Sequence, residues 1–267
     1  MTLFSCTGVE RHAEGRRLLG PLDLTIEPGR ITGILGHNGS GKSTLLKLLA
    51  RQEAPDAGAV LFQERALAQW DQRELARRLA WLPQTPAAAP GMTLRELVAL
   101  GRYPWHGLLG RRGAADRAAC AEAMALTGTE ALADRQVDTL SGGERQRGWI
   151  AMLLAQGAEA LLLDEPISAL DVAHQIEVMG LLRRLNRTRG ISVLMVLHDL
   201  NLASGWCDEA VALRAGRLVA HGPMAELLVP AVLQRLYGLE MDVIPHRRRT
   251  LVMPEAFFAA RPDEVEG

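Results

Sequence analysis

The stretch Gly36-His37-Asn38-Gly39-Ser40-Gly41-Lys42-Ser43 lies between an apolar run, Ile31-Thr32-Gly33-Ile34-Leu35, and a helix-forming run, Thr44-Leu45-Leu46-Lys47-Leu48-Leu49. Its spacing is G-x-x-x-x-G-K-[ST], a phosphate loop in the setting that gives the pattern meaning: after a short buried strand and opening a helix. The glycines let the backbone curl so that successive N–H groups point inward, and the positive end of the helix dipole adds to them. Lys42 is then expected to reach the β- and γ-phosphates of a nucleotide, and the Ser43 hydroxyl to take a place on Mg²⁺. A chain built around such a loop is an α/β protein with this strand inside a sheet.

At 267 residues the chain can bury a substantial core as one domain. Hydrophobic residues make up 48% and aromatics only 4%, which suits sheets and helices packed through Leu, Val, Ile and Ala and argues against disorder. The net charge of −1 gives no basic field for nucleic acid. The first ten residues lack a basic segment followed by an apolar core, so no signal peptide is expected, and no window approaches 18 uninterrupted apolar residues. Cys6, Cys120 and Cys207 form no C-x-x-C pair, and free thiols in a reducing compartment are the expectation.

Residues 1–30 read as short strands and a turn, with Pro28-Gly29 as the breaker before the loop's strand. Adenine usually stacks on a flat partner, and no Phe, Tyr or Trp lies between Cys6 and Lys42; His12 is the nearest planar side chain and is either that partner or an ordinary surface histidine. Gly58 to Phe62 and Leu79 to Pro83 read as further strands. Gln84 ends the second of these, where a polar side chain faces the ligand crevice of an α/β sheet and can touch Mg²⁺ or the attacking water, or is simply a loop residue. From Thr85 to about Ala155 the pattern is helical, with amphipathic segments over Met92 to Leu100 and Asp116 to Leu126. Within it, Gly101-Arg102-Tyr103-Pro104-Trp105-His106-Gly107 concentrates aromatics that either plug this insertion's own core or form a docking groove.

Leu140-Ser141-Gly142-Gly143-Glu144 carries a second phosphate signal. Ser141 suits a helix N-cap, and Gly142-Gly143 leave N–H groups open to an anion at the helix's positive end. One chain thus offers two anion sites for one nucleotide. Two identical subunits related by a two-fold axis resolve the surplus, each nucleotide lying between one chain's phosphate loop and the other's Ser141-Gly142-Gly143 turn.

Ala160-Leu161-Leu162-Leu163 has the character of a central parallel strand and ends in Asp164-Glu165. Asp164 suits the Mg²⁺ shell, and Glu165 suits polarising the water that attacks the γ-phosphate. Asp171 precedes a helix whose apolar positions Val178, Leu181, Leu182 and Leu185 share one face. The run Ser192 to Leu197 finishes in His198, which at the same sheet edge can bond the γ-phosphate or steady Glu165. Two short strands and a Pro223 to Leu228 helix follow, then a less regular tail with the basic cluster His246-Arg247-Arg248-Arg249.

Five elements therefore stand in one order: phosphate loop, Gln84, Leu140 to Glu144, Asp164-Glu165 and His198. In this order the chain resembles the ATP-binding subunits of ATP-binding-cassette transporters over nearly its whole length, and among them the ATPases of iron-siderophore, haem and cobalamin importers. Leu94-Arg95-Glu96-Leu97-Val98-Ala99-Leu100-Gly101-Arg102-Tyr103-Pro104-Trp105-His106-Gly107, with Gly110 and Gly113 to Arg117 after it, is most similar to the ferric hydroxamate importers of that group. The resemblance implies a RecA-like core over about 1–86 and 156–228, an inserted helical subdomain over about 87–155, an N-terminal antiparallel β subdomain and a C-terminal extension over about 229–267. It implies ATP held by Gly36 to Thr44, by Ser141 to Glu144 and by Asp171. Mg²⁺ falls on Ser43, Gln84 and Asp164, and catalysis on Glu165, His198 and Gln84. It further implies a homodimer on the cytoplasmic face of the inner membrane, a permease docking near Gln84 to His106, and a periplasmic siderophore-binding protein. Three features depart from the family pattern: Glu144 stands where glutamine is common, Ile167 where threonine usually follows Glu165-Pro166, and the adenine-stacking aromatic of many such ATPases is missing. The rival classes are a cassette ATPase acting on DNA or ribosomes and a phosphate-loop kinase; the kinase has no use for the Ser141 turn.

Overall fold

The apolar runs around the phosphate loop become neighbouring strands in the computed structural model, which describes residues 2–106, 112–247 and 249–255. Gly107, Gly110 and Arg248 lie outside the described residues. The chain runs through β1 (Phe4–Ala13), β2 (Arg16–Ile26), β3 (Ile31–Leu35), α1 (Lys42–Leu49), β4 (Ala57–Phe62) and β5 (Arg65–Ala66). Next come α2 (Gln72–Arg78), β6 (Leu79–Leu82), α3 (Leu94–Leu100), α4 (Tyr103–His106), α5 (Ala114–Thr127) and α6 (Gly142–Gln156). Then follow β7 (Ala160–Leu163), α7 (Val172–Arg189), β8 (Ser192–Val196), α8 (Leu200–Trp206), β9 (Glu209–Arg214) and β10 (Arg217–Pro223). The described chain closes with α9 (Met224–Leu227), α10 (Pro230–Tyr237), β11 (Met241–His246) and β12 (Arg249–Pro254).

A six-stranded sheet has the order β10-β9-β3-β8-β7-β6. Five of its strands are parallel, with β10 antiparallel at one edge. A parallel sheet is covered on both faces, so its strands read as unbroken apolar runs. In β7 the alternation is explicit: Leu161 and Leu163 enter the core packed by α7 and α6, while Ala160 and Leu162 enter the core shared with α1 and the antiparallel sheet. That second sheet, β2-β1-β4-β5, is antiparallel and forms the N-terminal β layer. Residues of α3, α5 and α6 supply a separate core around Leu94, Leu97, Val98, Met124 and Ala151. The protein is thus an α/β phosphate-loop fold with an antiparallel β layer and a helical unit inserted between β6 and β7.

Three expectations change. The first 30 residues hold not short strands but two of 10 and 11 residues, because β1 pairs on both sides, with β2 and with β4. The tail after Leu228 is regular: Leu233 and Leu236 bury one face of α10 and Val252 anchors the β11-β12 hairpin, all in the main core. The aromatic cluster does not plug the helical unit, since Tyr103 is 50% and Trp105 44% exposed. The guanidiniums of Arg77 and Arg102 each lie over the Trp105 ring, 4.8 and 4.7 Å from its centroid. All three cysteines are free and buried, and among the described residues no helix is long and apolar enough to cross a membrane.

Candidate active site

Because β3, β8, β7 and β6 are parallel neighbours in that order, the residues that end them share one sheet edge. Lys42, His198, Asp164-Glu165 and Gln84 are therefore brought side by side from positions spread over 157 residues of sequence, from 42 to 198. A cavity of about 420 Å³ opens there, lined by Leu18, Asn38, Gly39, Gly41, Lys42, Ser43, Thr44, Gln84, Glu165 and His198.

The loop's shape needs its glycines at two points. Gly41 caps α1 with φ 98°, and a Cβ there would meet the Leu18 carbonyl at 3.0 Å. At Gly36, φ 147°, a Cβ would lie 2.1 Å from the Leu213 carbonyl, so the loop leaves β3 pressed against the end of β9. Lys42 folds back over the loop and donates from Nζ to the carbonyls of Gly36 and His37, both at 2.8 Å. Burial lowers its pKa, opposed by the Glu165 and Asp164 carboxylates.

Ser43 Oγ donates to Asp164 Oδ1 at 2.9 Å. Asp164 is only 4% exposed, and burial raises its pKa, with the Ser43 hydrogen bond pulling the other way. Two oxygen donors side by side at the base of a phosphate loop suit Mg²⁺, a hard cation that keeps most of its shell as water and phosphate. Among the described residues no group of three or more His, Cys, Asp or Glu could hold a metal, so any divalent ion here depends on such outside ligands.

Glu165 accepts a hydrogen bond from Gln84 Nε2 on Oε2 at 2.8 Å, and His198 Nε2 lies 2.6 Å from its Oε1. Its backbone is left-handed, φ 51°, a conformation that costs a non-glycine residue about 1 kcal/mol or more. The turn is held by Ser168, whose N–H and Oγ both donate to the Glu165 carbonyl at 3.3 and 3.2 Å. This kink turns the side chain of Glu165 into the cavity while Asp164 stays in register with β7.

Ser141, Gly142, Gly143, Glu144 and Asp171 do not line this cavity. Ser141 and Glu144 form a capping box on α6: Ser141 Oγ accepts from the Glu144 N–H at 3.3 Å, and Glu144 Oε2 accepts from the Ser141 N–H at 2.9 Å. Asp171 caps α7 and also accepts from His174 Nδ1 at 2.8 Å. The His174 ring packs so closely on Gly143 that a Cβ there would sit 2.3 Å from it. The two segments are thus one unit on the chain's surface. His12 does not line this cavity; it lies on the β1-β2 hairpin beside Asp56, and Leu18 is the β2 residue that lines the cavity. Ile167, in place of the threonine, is buried in the main core.

A family model described as ABC transporter matches residues 19–168, more than half of the chain. The chain belongs to the ABC transporter family. This ABC transporter chain is 46% identical to the achromobactin transport ATP-binding protein of Dickeya dadantii (strain 3937), over 85% of each chain. It is 41% identical to the iron(3+)-hydroxamate import ATP-binding protein of Bacillus subtilis (strain 168), over 87% of each. A hemin import ATP-binding protein of Bordetella avium is 42% identical over 87% of this chain and 91% of its own length. Among solved structures, an inward-facing metal-chelate type ABC transporter superposes with a TM-score of 0.83 at 25% identity, covering 95% of this chain and 97% of that one. A dimeric bacterial ABC transporter cassette superposes at 0.72 with 27% identity, covering 83% and 98%. The chain is an ABC ATPase whose family couples ATP hydrolysis to transport, and it groups with the ATP-binding subunits of iron-siderophore and haem importers.

The buried Asp164 gives the site a pH signature. Its pKa is raised in the folded chain, so the ionised form is disfavoured there, and this group's own contribution to nucleotide-free stability is fully present below the unfolded carboxylate range and is lost as pH rises through that raised value. Asp164→Asn removes this penalty and keeps an acceptor for Ser43. The substitution is expected to raise the nucleotide-free Tm by roughly 2–4 °C at pH 7, corresponding to about 1 kcal/mol. The same protein should lose Mg²⁺-dependent hydrolysis. Calorimetric melts at pH 5 and 8 check the first expectation and phosphate release the second; an Asn variant less stable at both pH values would contradict it.

Proposed function

We propose that two copies of this chain close around two Mg·ATP, hydrolyse them, and so energise import of an iron(III)-hydroxamate siderophore through an inner-membrane permease supplied by a periplasmic siderophore-binding protein. Each nucleotide lies between Gly36 to Thr44 of one copy and Ser141 to Glu144 of the other, with Asp171 at the same seam. The observation that carries the reading is the division of labour in one chain. The phosphate loop, Asp164 and the Gln84-Glu165-His198 cluster surround one cavity, while the second anion-binding turn faces elsewhere and needs a second copy to be used.

In this reading Lys42 leaves its two carbonyls for the β- and γ-phosphate oxygens, and the loop N–H groups hold the remaining charge. Ser43, Asp164 and Gln84 would hold Mg²⁺, which when bound neutralises charge on the β- and γ-oxygens. Glu165 takes a proton from water as the water oxygen bonds to the γ-phosphorus and the bond to the β-phosphate oxygen breaks. His198 and Gln84 orient the Glu165 carboxylate, one on each oxygen. Closure supplies the difference in affinity that a conformational change in the permease requires.

The cargo does not touch this chain, so hydroxamate rests on the stretch from Leu94 to His106 and on the hydroxamate-importer relative. Relatives named for achromobactin, at 46% identity, and for hemin, at 42%, are at least as similar as the hydroxamate one at 41%, which makes another iron chelate or haem the second reading. Iron-55 ferrichrome uptake by cells lacking this chain, with and without its return, tests the cargo; unchanged uptake would rule hydroxamate out. Docking has its own prediction. Tyr103→Ala, at a half-exposed side chain, is expected to reduce co-purification of the permease at least severalfold while the ATPase rate of the free subunit is unchanged. Full permease recovery with this variant would move the docking surface elsewhere.

A further inference from the structure

The phosphate loop is held from behind by the C-terminal extension. His37, the loop's second residue, donates from Nε2 to the carbonyl of Tyr237 at 2.9 Å, across 200 residues of sequence. The two rings also meet edge to face, with centroids 4.9 Å apart and planes at 71°. The carbonyl of the same His37 is one of the two acceptors that Lys42 grips. Tyr237 is the last residue of α10, whose Leu233 and Leu236 are fully inside the main core. Arg214 of β9 adds a second tie by donating to the Arg235 carbonyl. On the loop's other side, the Ser40 carbonyl accepts from the Gly216 N–H at 3.0 Å, so both flanks of the loop are anchored by the last quarter of the chain.

From this geometry we propose that Tyr237 is a positioning residue for the phosphate loop, acting through His37 to hold the loop in its nucleotide-binding shape. A loop that is already shaped loses less conformational freedom when phosphate enters, and that saving appears as affinity. The contact is an aromatic edge pairing plus one hydrogen bond to a backbone carbonyl. The Tyr237 hydroxyl has no part in it: it is buried with no hydrogen-bond partner in the protein. The ring should therefore matter and the hydroxyl should not. The proposal rests on the reading of this cavity as a nucleotide site.

The test is a double-mutant cycle read by equilibrium titration of the full-length protein with Mg·ADP, supported by kcat and KM for ATP. Tyr237→Ala, which removes the ring pairing and keeps the carbonyl, is expected to raise Kd about threefold, and His37→Ala, which removes both the pairing and the hydrogen bond, about tenfold. The double variant should raise it no further than His37→Ala, because the Tyr237 ring acts only through His37. Tyr237→Phe should keep the wild-type Kd, with a Tm equal to or above wild type since an unpaired buried hydroxyl is removed. The loss should appear in KM, with kcat near wild type. If Tyr237→Ala does not fold, Tyr237→Leu, which keeps the backbone carbonyl and removes the aromatic edge, takes its place, and His37→Gln, whose amide can still donate to that carbonyl but lacks the ring, should restore only part of the affinity lost in His37→Ala. Wild-type affinity in both alanine variants, additive effects in the double variant, or loss in Tyr237→Phe equal to that in Tyr237→Ala would overturn the proposal. Failure of the wild-type protein to bind Mg·ADP at all would instead overturn the functional reading itself.

Discussion

Glu165→Gln is expected to lower ATP turnover by about 10²–10⁴-fold, the usual contribution of a positioned general base, while nucleotide binding persists. The carboxylate accepts from Gln84 on one oxygen and has His198 Nε2 in close contact with the other. The substituted amide has the same shape and can still accept from one of them, so the local geometry survives. The other contact is kept if His198 shifts its ring proton to Nδ1 and accepts at Nε2. What is lost is the ability to take a proton from water, because an amide does not become protonated near pH 7. ATP should then accumulate at the seam of a closed dimer. Phosphate release measures the first effect, and light scattering with and without Mg·ATP measures the second. Hydrolysis at the wild-type rate would remove Glu165 from the base role, and a protein that stays monomeric with saturating Mg·ATP would remove the two-copy site.

Lys42→Ala should produce the other large effect, on affinity. A charge-assisted hydrogen bond contributes about 1.5–3 kcal/mol, so loss of one to the phosphates corresponds to roughly 10- to 100-fold in Kd. Lys42 is buried and already oriented over the loop, so little of that energy is spent on ordering it. The wild-type protein should also show a pH dependence that the variant lacks. Burial holds the Lys42 pKa below the usual lysine range, and bound phosphate favours the charged form. Affinity is therefore full below that lowered pKa and falls as pH rises through it. Nucleotide titrations from pH 7 to 10 check this; equal slopes for wild type and Lys42→Ala would show that Lys42 does not carry the contact.

These two expectations need only residues that stand out in the sequence, and the reason lies in how local their signals are. A phosphate loop is a strand, a turn and a helix start within 15 residues, so its glycine spacing is readable locally, even though Gly36 and Gly41 also make room for the distant Leu213 and Leu18 carbonyls. The same holds for Ala160 to Glu165, where the apolar run and the acids that end it are adjacent. Ser141 and Glu144 are also legible, because a capping box spans only four residues. The tail after Leu228 was not legible. Its strands β11 and β12 are mostly half-exposed or exposed and carry no apolar run like that of β7, and β12 is fixed by α8, where Asn201 bonds the Val252 backbone in both directions and Ser204 donates to the Thr250 carbonyl. The aromatic cluster misled for a related reason: Trp105 is satisfied by two arginine faces at the surface, a pairing that hydrophobicity does not register.

By itself, then, the sequence determined the fold family, the position of the phosphate loop and the residue types at the ends of four strands, since each depends on contacts within a few residues. Only the tertiary structure decided that His198 and Gln84 approach Glu165 from opposite sides, that Leu18 rather than His12 walls the cavity, and that Tyr237 braces His37. Those depend on strand order and on the packing of elements far apart in the chain, and no local periodicity encodes which strands become neighbours.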